Sequence, residues 1–188
     1  YSITWHKIIK IKIVEIKKTK FENTFIVEHK KRFDNRGFFM RGFCKEILKK
    51  KNIHFTIKQT NFSYNEKKLT LRGFHYQNYP YSENKVVTCV NGKILLVLVN
   101  IDKKSKNYLK HIKISLSSKM NKSVIVSKNC ATAFLTLEPK TLVLYYMSNY
   151  YKDNKGRGIR YNDPKLKIKW PKKVKIISKK DLNFKYLS

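Results

Sequence analysis

Apolar and polar positions along this chain alternate in short runs, and helical spacing is rare. Val, Ile, Thr, Tyr and Phe recur in segments separated by turn residues, the pattern of an all-β protein. Residues 85–90 and 93–101 flank Asn91-Gly92, a dipeptide that favours a hairpin because a type I′ turn needs positive φ at both positions. Residues 111–116 and 123–127 bracket a polar stretch, and residues 134–137 and 141–147 bracket the turn Glu138-Pro139-Lys140. Short strands this regularly spaced predict a sandwich or barrel. Within residues 40–51, Phe43, Ile47 and Leu48 recur at helical spacing and predict the one short helix. The segment after Asp163 keeps Leu166, Ile168, Trp170, Val174, Ile176 and Ile177 among its charges, so it is expected to pack on the barrel. With no internal repeat and no Gly/Ser linker, residues 1–188 read as a single domain.

Composition adds one surprise. Hydrophobic residues make up 41% and aromatics 13%, enough for a folded core. The net charge, however, is +31, which points to a polyanion partner. Only Arg32, Arg36, Arg41, Arg72, Arg157 and Arg160 are arginines, and the remaining basic residues are lysines spread along nearly the whole chain. A dedicated phosphate reader is expected to use more arginine, whose planar fork bonds two oxygens at once. Lysines alternating with isoleucine are the solvated face of half-buried strands. Non-specific nucleic-acid binding is therefore the most the charge predicts.

Cys44, Cys89 and Cys130 form no C-x-x-C pair, and an odd number cannot all pair internally, so a reduced, cytoplasmic setting is expected. The longest apolar runs, residues 94–99 and 142–147, are too short to cross a bilayer, and no membrane partner is expected. No signal peptide is visible, and the chain begins at Tyr1 without a methionine, so a true N-terminus outside this sequence is expected.

Metal-binding β-barrels place two histidines as H-x-H on one strand, so that both face inward. The nearest match here is His75-Tyr-Gln, with glutamine where the second ligand would stand, so no metal and no cofactor is expected. Read as a regular strand, Gly73, His75 and Gln77 share one face while Arg72, Phe74 and Tyr76 share the other. Gly73 would leave room for a ligand beside His75. Taken alone, His75 reads as a hydrogen-bonded core histidine.

The surrounding motifs change that reading. Arg72-Gly-Phe-His-Tyr-Gln resembles the R-G-L-H-[FY]-Q motif of the dTDP-4-dehydrorhamnose 3,5-epimerases. Asp34-Asn-Arg-Gly-Phe-Phe resembles their D-x-R-G-F-F, Gln59-Thr-Asn-Phe-Ser their Q-D-N-x-S, and Lys85-Val-Val-Thr-Cys-Val-Asn-Gly their K-L-V-x-C-x-x-G. Leu144-Tyr with Asn149-Tyr-Tyr resembles L-Y-K…Y-Y, Tyr161-Asn-Asp-Pro resembles W-N-D-P, and Ser178-Lys-Lys-Asp resembles the closing L-S-x-K-D. Seven motifs in family order, from about Val14 to Asp181, are far more specific than any one of them.

The resemblance implies a homodimeric, cupin-type jelly-roll β-barrel with a short N-terminal helix and a C-terminal extension. Its substrate would be a nucleotide-linked 4-keto-6-deoxyhexose, dTDP-linked, epimerised at C3 and C5 in deoxysugar biosynthesis of the L-rhamnose type. Carried over by position, His75 would be the general base and Asp181 the carboxylate that orients it. Tyr145 would be the acid on the opposite face of the sugar, and Lys85 would sit by the ketone oxygen. Tyr151 would stack on the base, while Arg36, Gln59, Asn61, Arg72 and Lys180 would hold diphosphate and sugar. These residue types suit the chemistry. A proton beside a carbonyl is weakly acidic, so a cation must stabilise the enolate, and an imidazole, titrating near ~6.5 in isolation, suits a base.

Four departures stand out. The family's A-H-G-F is Ala131-Thr132-Ala133-Phe134, so a threonine replaces a histidine in the sugar pocket. Arg41, Leu96 and Tyr146 stand where the pattern has glutamate, aspartate and lysine. They leave two alternatives open: an epimerase acting at one centre or on another nucleotide sugar, and a degenerate barrel kept as a binding protein with a basic surface.

Overall fold

The computed structural model describes residues 14–187, and strands are their dominant regular structure, with only short helices beside them. The chain opens with β1 (Val14–Lys18) and β2 (Phe25–His29), then a separate hairpin, β3 (Lys31–Asp34) and β4 (Gly37–Met40), and helix α1 (Lys45–Lys49). Eight strands follow: β5 (Gln59–Asn65), β6 (Leu71–Gln77), β7 (Lys85–Asn91), β8 (Lys93–Asn100), β9 (His111–Ser117), β10 (Lys122–Val126), β11 (Cys130–Thr136) and β12 (Thr141–Met147). A short β13 (Gly156–Gly158) and the helix α2 (Lys179–Leu182) complete the set. Two antiparallel sheets result, in the orders β1-β2-β10-β7-β12-β5 and β13-β6-β11-β8-β9. From β5 to β12 the chain crosses between the sheets at every step except β8 to β9, which pair within one sheet, and this is the jelly roll expected from the family resemblance.

Alternation along each strand decides what the sheets enclose. Ile94, Leu96 and Leu98 of β8 meet Val87, Cys89, Val124 and Val143 of the other sheet in the central core. Val97 and Val99, one residue out of phase, point the other way and pack with Phe74, Ala131, Ala133, Ile159 and Leu166. The C-terminal segment supplies this second cover, with Leu166, Ile168, Trp170 and Leu187 on the outer face of the five-stranded sheet. Over the six-stranded sheet a third cluster joins Val27, Val86 and Ile125 to Leu48, Ile53 and Phe55. Residues 94–99 thus read as one unbroken apolar run because the strand is buried on both faces.

Several local expectations are corrected. Asn91-Gly92 is not a hairpin turn, because β7 and β8 belong to different sheets. Gly92 alone takes the positive φ, +77°, and carries the chain round the corner, where a Cβ would collide with Thr141. The helix shrinks from residues 40–51 to Lys45–Lys49: its N-cap Cys44 offers no side-chain hydrogen bond, and Asn52, at φ +57°, ends it. Phe43 still packs against the same cluster, from outside the helix. Strand β11 begins four residues earlier than expected, since small residues such as Ala131 and Ala133 gave no apolar signal. No helix among the described residues is long and apolar enough to cross a membrane.

The most consequential correction lies in β6. Opposite β11, His75 pairs with Thr132 but Arg72 pairs with Phe134, so β6 advances three residues while β11 advances two. This bulge breaks the alternation and turns Arg72 and His75 to the same side. Gly73 sits inside it at φ +112°, where a Cβ would strike the carbonyl of Thr132 and lie 2.7 Å from Ala133 Cα. Gly73→Ala should therefore lower stability by about 2–4 kcal/mol, from left-handed strain plus overpacking. Urea unfolding of parent and variant measures it; a loss below ~0.5 kcal/mol would mean that the bulge does not need glycine.

Candidate active site

A cavity of about 360 Å³ opens between the two sheets, a volume typical of small-molecule sites. β6, β11 and β13 form one wall, β5, β7 and β12 the other, and α2 closes one side with Lys180. The bulge in β6 is what presents both Arg72 and His75 to this space.

His75 is tied to the C-terminal segment. Its Nε2 lies 2.8 Å from Asp181 Oδ1, while Asp181 Oδ2 accepts the Gly73 N–H at 3.0 Å. The Ser178 hydroxyl in turn caps α2 by accepting the Asp181 N–H at 3.1 Å. Burial pushes the Asp181 carboxyl up, but the His75 hydrogen bond and charge, with help from Gly73 and Ser178, outweigh it and hold the group below its ordinary value. An ionised carboxylate can only accept, so Nε2 carries the ring proton and Nδ1 keeps the free lone pair. The ring of Phe184 stands edge-on to His75 at 5.9 Å. It rests on Gly158, where any side chain would overlap the phenyl ring.

Tyr145 reaches the cavity from β12, on the wall facing His75. Burial pushes its phenol above the usual value, against a smaller downward pull from Arg72, so it remains protonated at neutral pH. Lys85, on β7, lies beside Glu83 at 3.2 Å and donates to the carbonyl of His75 at 3.3 Å. A polar rim follows: Gln59 donates to Asn61 at 3.0 Å and accepts the Tyr151 N–H at 3.0 Å, and Arg72 Nε donates to Asn65 at 2.8 Å.

Of the residues singled out in the sequence, His75, Tyr145, Lys85, Gln59, Asn61, Arg72, Tyr151, Lys180 and Thr132 all line this one cavity. Asp181 stands behind His75. Arg36 is the exception: it occupies the exposed turn between β3 and β4, paired with Asp34 at 2.6 Å, and does not line the cavity of its own chain. Sequence reading missed Glu83, Tyr76, Arg157 and Phe184, which also line it. Glu83 carried a usable signal, being two residues before Lys85. The other three depend on the bulge, β13 and the C-terminal fold-back. Gln77, in the place of a second metal-binding histidine, donates to Glu83 at 3.0 Å. Among the described residues no three His, Cys, Asp or Glu side chains group so as to hold a metal ion.

Residues 18–188 match the family model of dTDP-4-dehydrorhamnose 3,5-epimerase. The chain belongs to that family. The epimerase of Shigella flexneri is 32% identical over 169 residues, covering 88% of this chain and 92% of the relative. The crystal structure of the Bacillus anthracis epimerase, with TDP and PPi bound, superposes with a TM-score of 0.90 at 30% identity and covers 93% of this chain and 99% of its own. The Legionella pneumophila epimerase, in complex with dTDP-4-keto-L-rhamnose, gives 0.87 at 29% identity, with 92% of each chain covered. The cupin-like jelly roll is shared with these 3,5-epimerases over 93% and 92% of the chain.

The depressed Asp181 carboxyl makes a prediction about acid stability. A group whose folded value lies below its unfolded one adds stability that is complete above the unfolded value, near ~3.9, and drains away as pH falls through the folded value. Asp181→Asn removes that contribution. The melting-temperature gap between parent and variant should be largest above pH ~5 and narrow as pH falls toward ~3. A gap unchanged by acid would mean that Asp181 is not held ionised by His75.

Proposed function

We propose that this chain is an isomerase that inverts C3 and C5 of dTDP-4-dehydro-6-deoxyglucose, in deoxysugar biosynthesis of the L-rhamnose type. The single observation that carries the reading is a histidine–aspartate pair and a protonated tyrosine on facing walls of one cavity. In this reading the sugar ring lies between the walls. His75 Nδ1 removes the proton beside the ketone, and Asp181 stabilises the imidazolium that results. The electron pair moves onto the ketone oxygen, where Lys85 offers a cation to the enolate. Tyr145 returns a proton from the opposite wall, and the centre is inverted. Arg72 and Lys180 suit the diphosphate, Gln59 and Asn61 the sugar, and Tyr151 a stacked base. Proton removal and return leave the oxidation level unchanged, so the reading calls for no cofactor.

A second reading, epimerisation at one centre only, is favoured by Thr132. Its hydroxyl is buried without a hydrogen-bond partner, so the wall beside His75 offers no charge there and a substrate substituent finds a different contact.

The assembly we propose is a homodimer in the cytoplasm. Phe33, Phe38 and Phe39 are 76%, 55% and 65% exposed on the β3–β4 hairpin, an aromatic surface suited to a second copy. Arg36 at the tip of that hairpin would then serve the other subunit's cavity. The three unpaired cysteines favour a reducing compartment. Among the described residues only Lys17, Arg36, Lys85 and Lys122 sit in carboxylate ion pairs from lysine or arginine. The remaining basic surface should bind nucleic acid weakly, without sequence preference, and release it as salt rises.

Incubation with dTDP-4-dehydro-6-deoxyglucose in heavy water tests the main reading by deuterium at C3 and C5, read by NMR. Both positions should exchange; exchange at one selects the single-centre reading, and none rejects both. His75→Ala should lose exchange at both carbons by about 10²–10⁴-fold. Tyr145→Phe should keep more exchange than net inversion, because it lacks the donor and retains the base.

A further inference from the structure

Lys85 is only 8% exposed and Glu83 only 6%. Charges buried to this degree are costly unless paired and hydrogen-bonded. Lys85 Nζ lies 3.2 Å from Glu83 Oε1 and donates a second bond to the His75 carbonyl at 3.3 Å. The other Glu83 oxygen accepts from Gln77 Nε2 at 3.0 Å. Gln77 is itself fixed: its Nε2 also lies 3.0 Å from the Tyr81 carbonyl and 3.1 Å from that of Tyr150, and its Oε1 accepts the Lys152 N–H at 2.7 Å. An ammonium carries three donors. Two are taken, and among the described residues the third has no partner, while Lys85 lines the cavity.

We propose that Glu83 is a positioning residue of this site: its carboxylate keeps the Lys85 ammonium charged and leaves its remaining N–H turned to the ketone oxygen of the substrate. The identity of that oxygen rests on the epimerase reading above. The other ionisable groups around Lys85 cannot substitute. His75 and Arg72 come from β6, Tyr145 from β12, Arg157 from β13, and Lys180 and Asp181 from α2. Buried Cys130 of β11 is a thiol pushed up to about 11 by burial. Asp181 already receives His75. Among the described residues Glu83 is therefore the one carboxylate paired with Lys85. Because the pair is neutral as a whole, the charge developing on the oxygen meets a dipole fixed before the reaction starts, with no reorganisation required.

Glu83→Gln separates charge from shape. In that pose one of the two donors, Lys85 or Gln77, meets an amide N–H instead of an oxygen, and the counter-charge is gone. With ¹³C-labelled lysine, the Lys85 resonance is identified by its absence in Lys85→Arg and followed through a pH titration. Lys85 should lose its proton about 1–3 pH units lower in folded Glu83→Gln than in the parent. The alkaline limb of kcat should move with it, and KM should change little, since the contact acts on the transition state. Glu83→Asp keeps the charge and should return the titration to that of the parent. An unmoved Lys85 titration in folded Glu83→Gln overturns the proposal. The titration needs no substrate, so a parent that fails to exchange deuterium would reject the epimerase reading while the Glu83–Lys85 pairing is still judged by NMR. If Glu83→Gln does not fold, Glu83→Asp decides: withdrawing the carboxylate by one methylene should cost about tenfold or more in kcat, and a variant as fast as the parent overturns the proposal.

Discussion

His75 and Asp181 are 106 residues apart in the chain and meet at 2.8 Å, so the site exists only when the C-terminal segment has closed over the five-stranded sheet. The closure is driven by apolar burial: Leu166, Ile168, Trp170 and Leu187 cover the outer face formed by Phe74, Val97, Val99, Ala131 and Ala133. Around that contact the chain adds specific polar ties. Asp163 accepts the Leu187 N–H at 2.6 Å, and Ser178 caps the short helix that delivers Asp181. The same helix start places Lys180 at the cavity and leaves Phe184 against the imidazole. Hydrophobic packing thus sets the position, and the hydrogen bond to Asp181 sets the tautomer of the ring.

The jelly roll contributes the second constraint. β6 and β12 lie in opposite sheets, so they deliver groups to facing walls without any long-range device. An imidazole on one wall and a phenol on the other suit the inversion of a carbon centre proposed above. The bulge at Gly73 then does what a regular strand cannot, since even spacing would send Arg72 and His75 to opposite faces. The ion pair of Lys85 with Glu83 puts a cation between those walls without an uncompensated buried charge.

Much of this was legible in the sequence, and the reasons differ from residue to residue. Short apolar runs bounded by turn residues gave strands β7, β8, β9, β10 and β12 almost to the residue, with β8 unbroken because both its faces are buried. The pairing of those strands was not legible. Asn91-Gly92 carries the chemistry of a tight turn whether the flanking strands pair or part, and local φ preferences do not say which sheet comes next. The motifs brought His75, Lys85, Tyr145 and Asp181 forward as a set, and all four meet at one cavity or directly behind it. Phe184 and Arg157 escaped notice because they reach the site through tertiary folding alone. Glu83 escaped although its spacing from Lys85 offered a signal, because a carboxylate there still reads as surface until its burial is known. Arg36 shows the reverse case: a motif residue that its own chain leaves in solvent, 85% of its side chain exposed.

The account turns on which ring nitrogen of His75 bears the proton, and histidine-selective ¹⁵N NMR of the substrate-free protein reads this directly. Asp181 as an ionised acceptor dictates protonated Nε2 and a bare Nδ1 in the neutral ring. The expected spectrum above neutral pH therefore shows the Nε2–H tautomer for His75, with that preference weakened in Asp181→Asn. A dominant Nδ1–H tautomer in the parent, indifferent to Asp181→Asn, would contradict the assignment of His75 as a base oriented by Asp181.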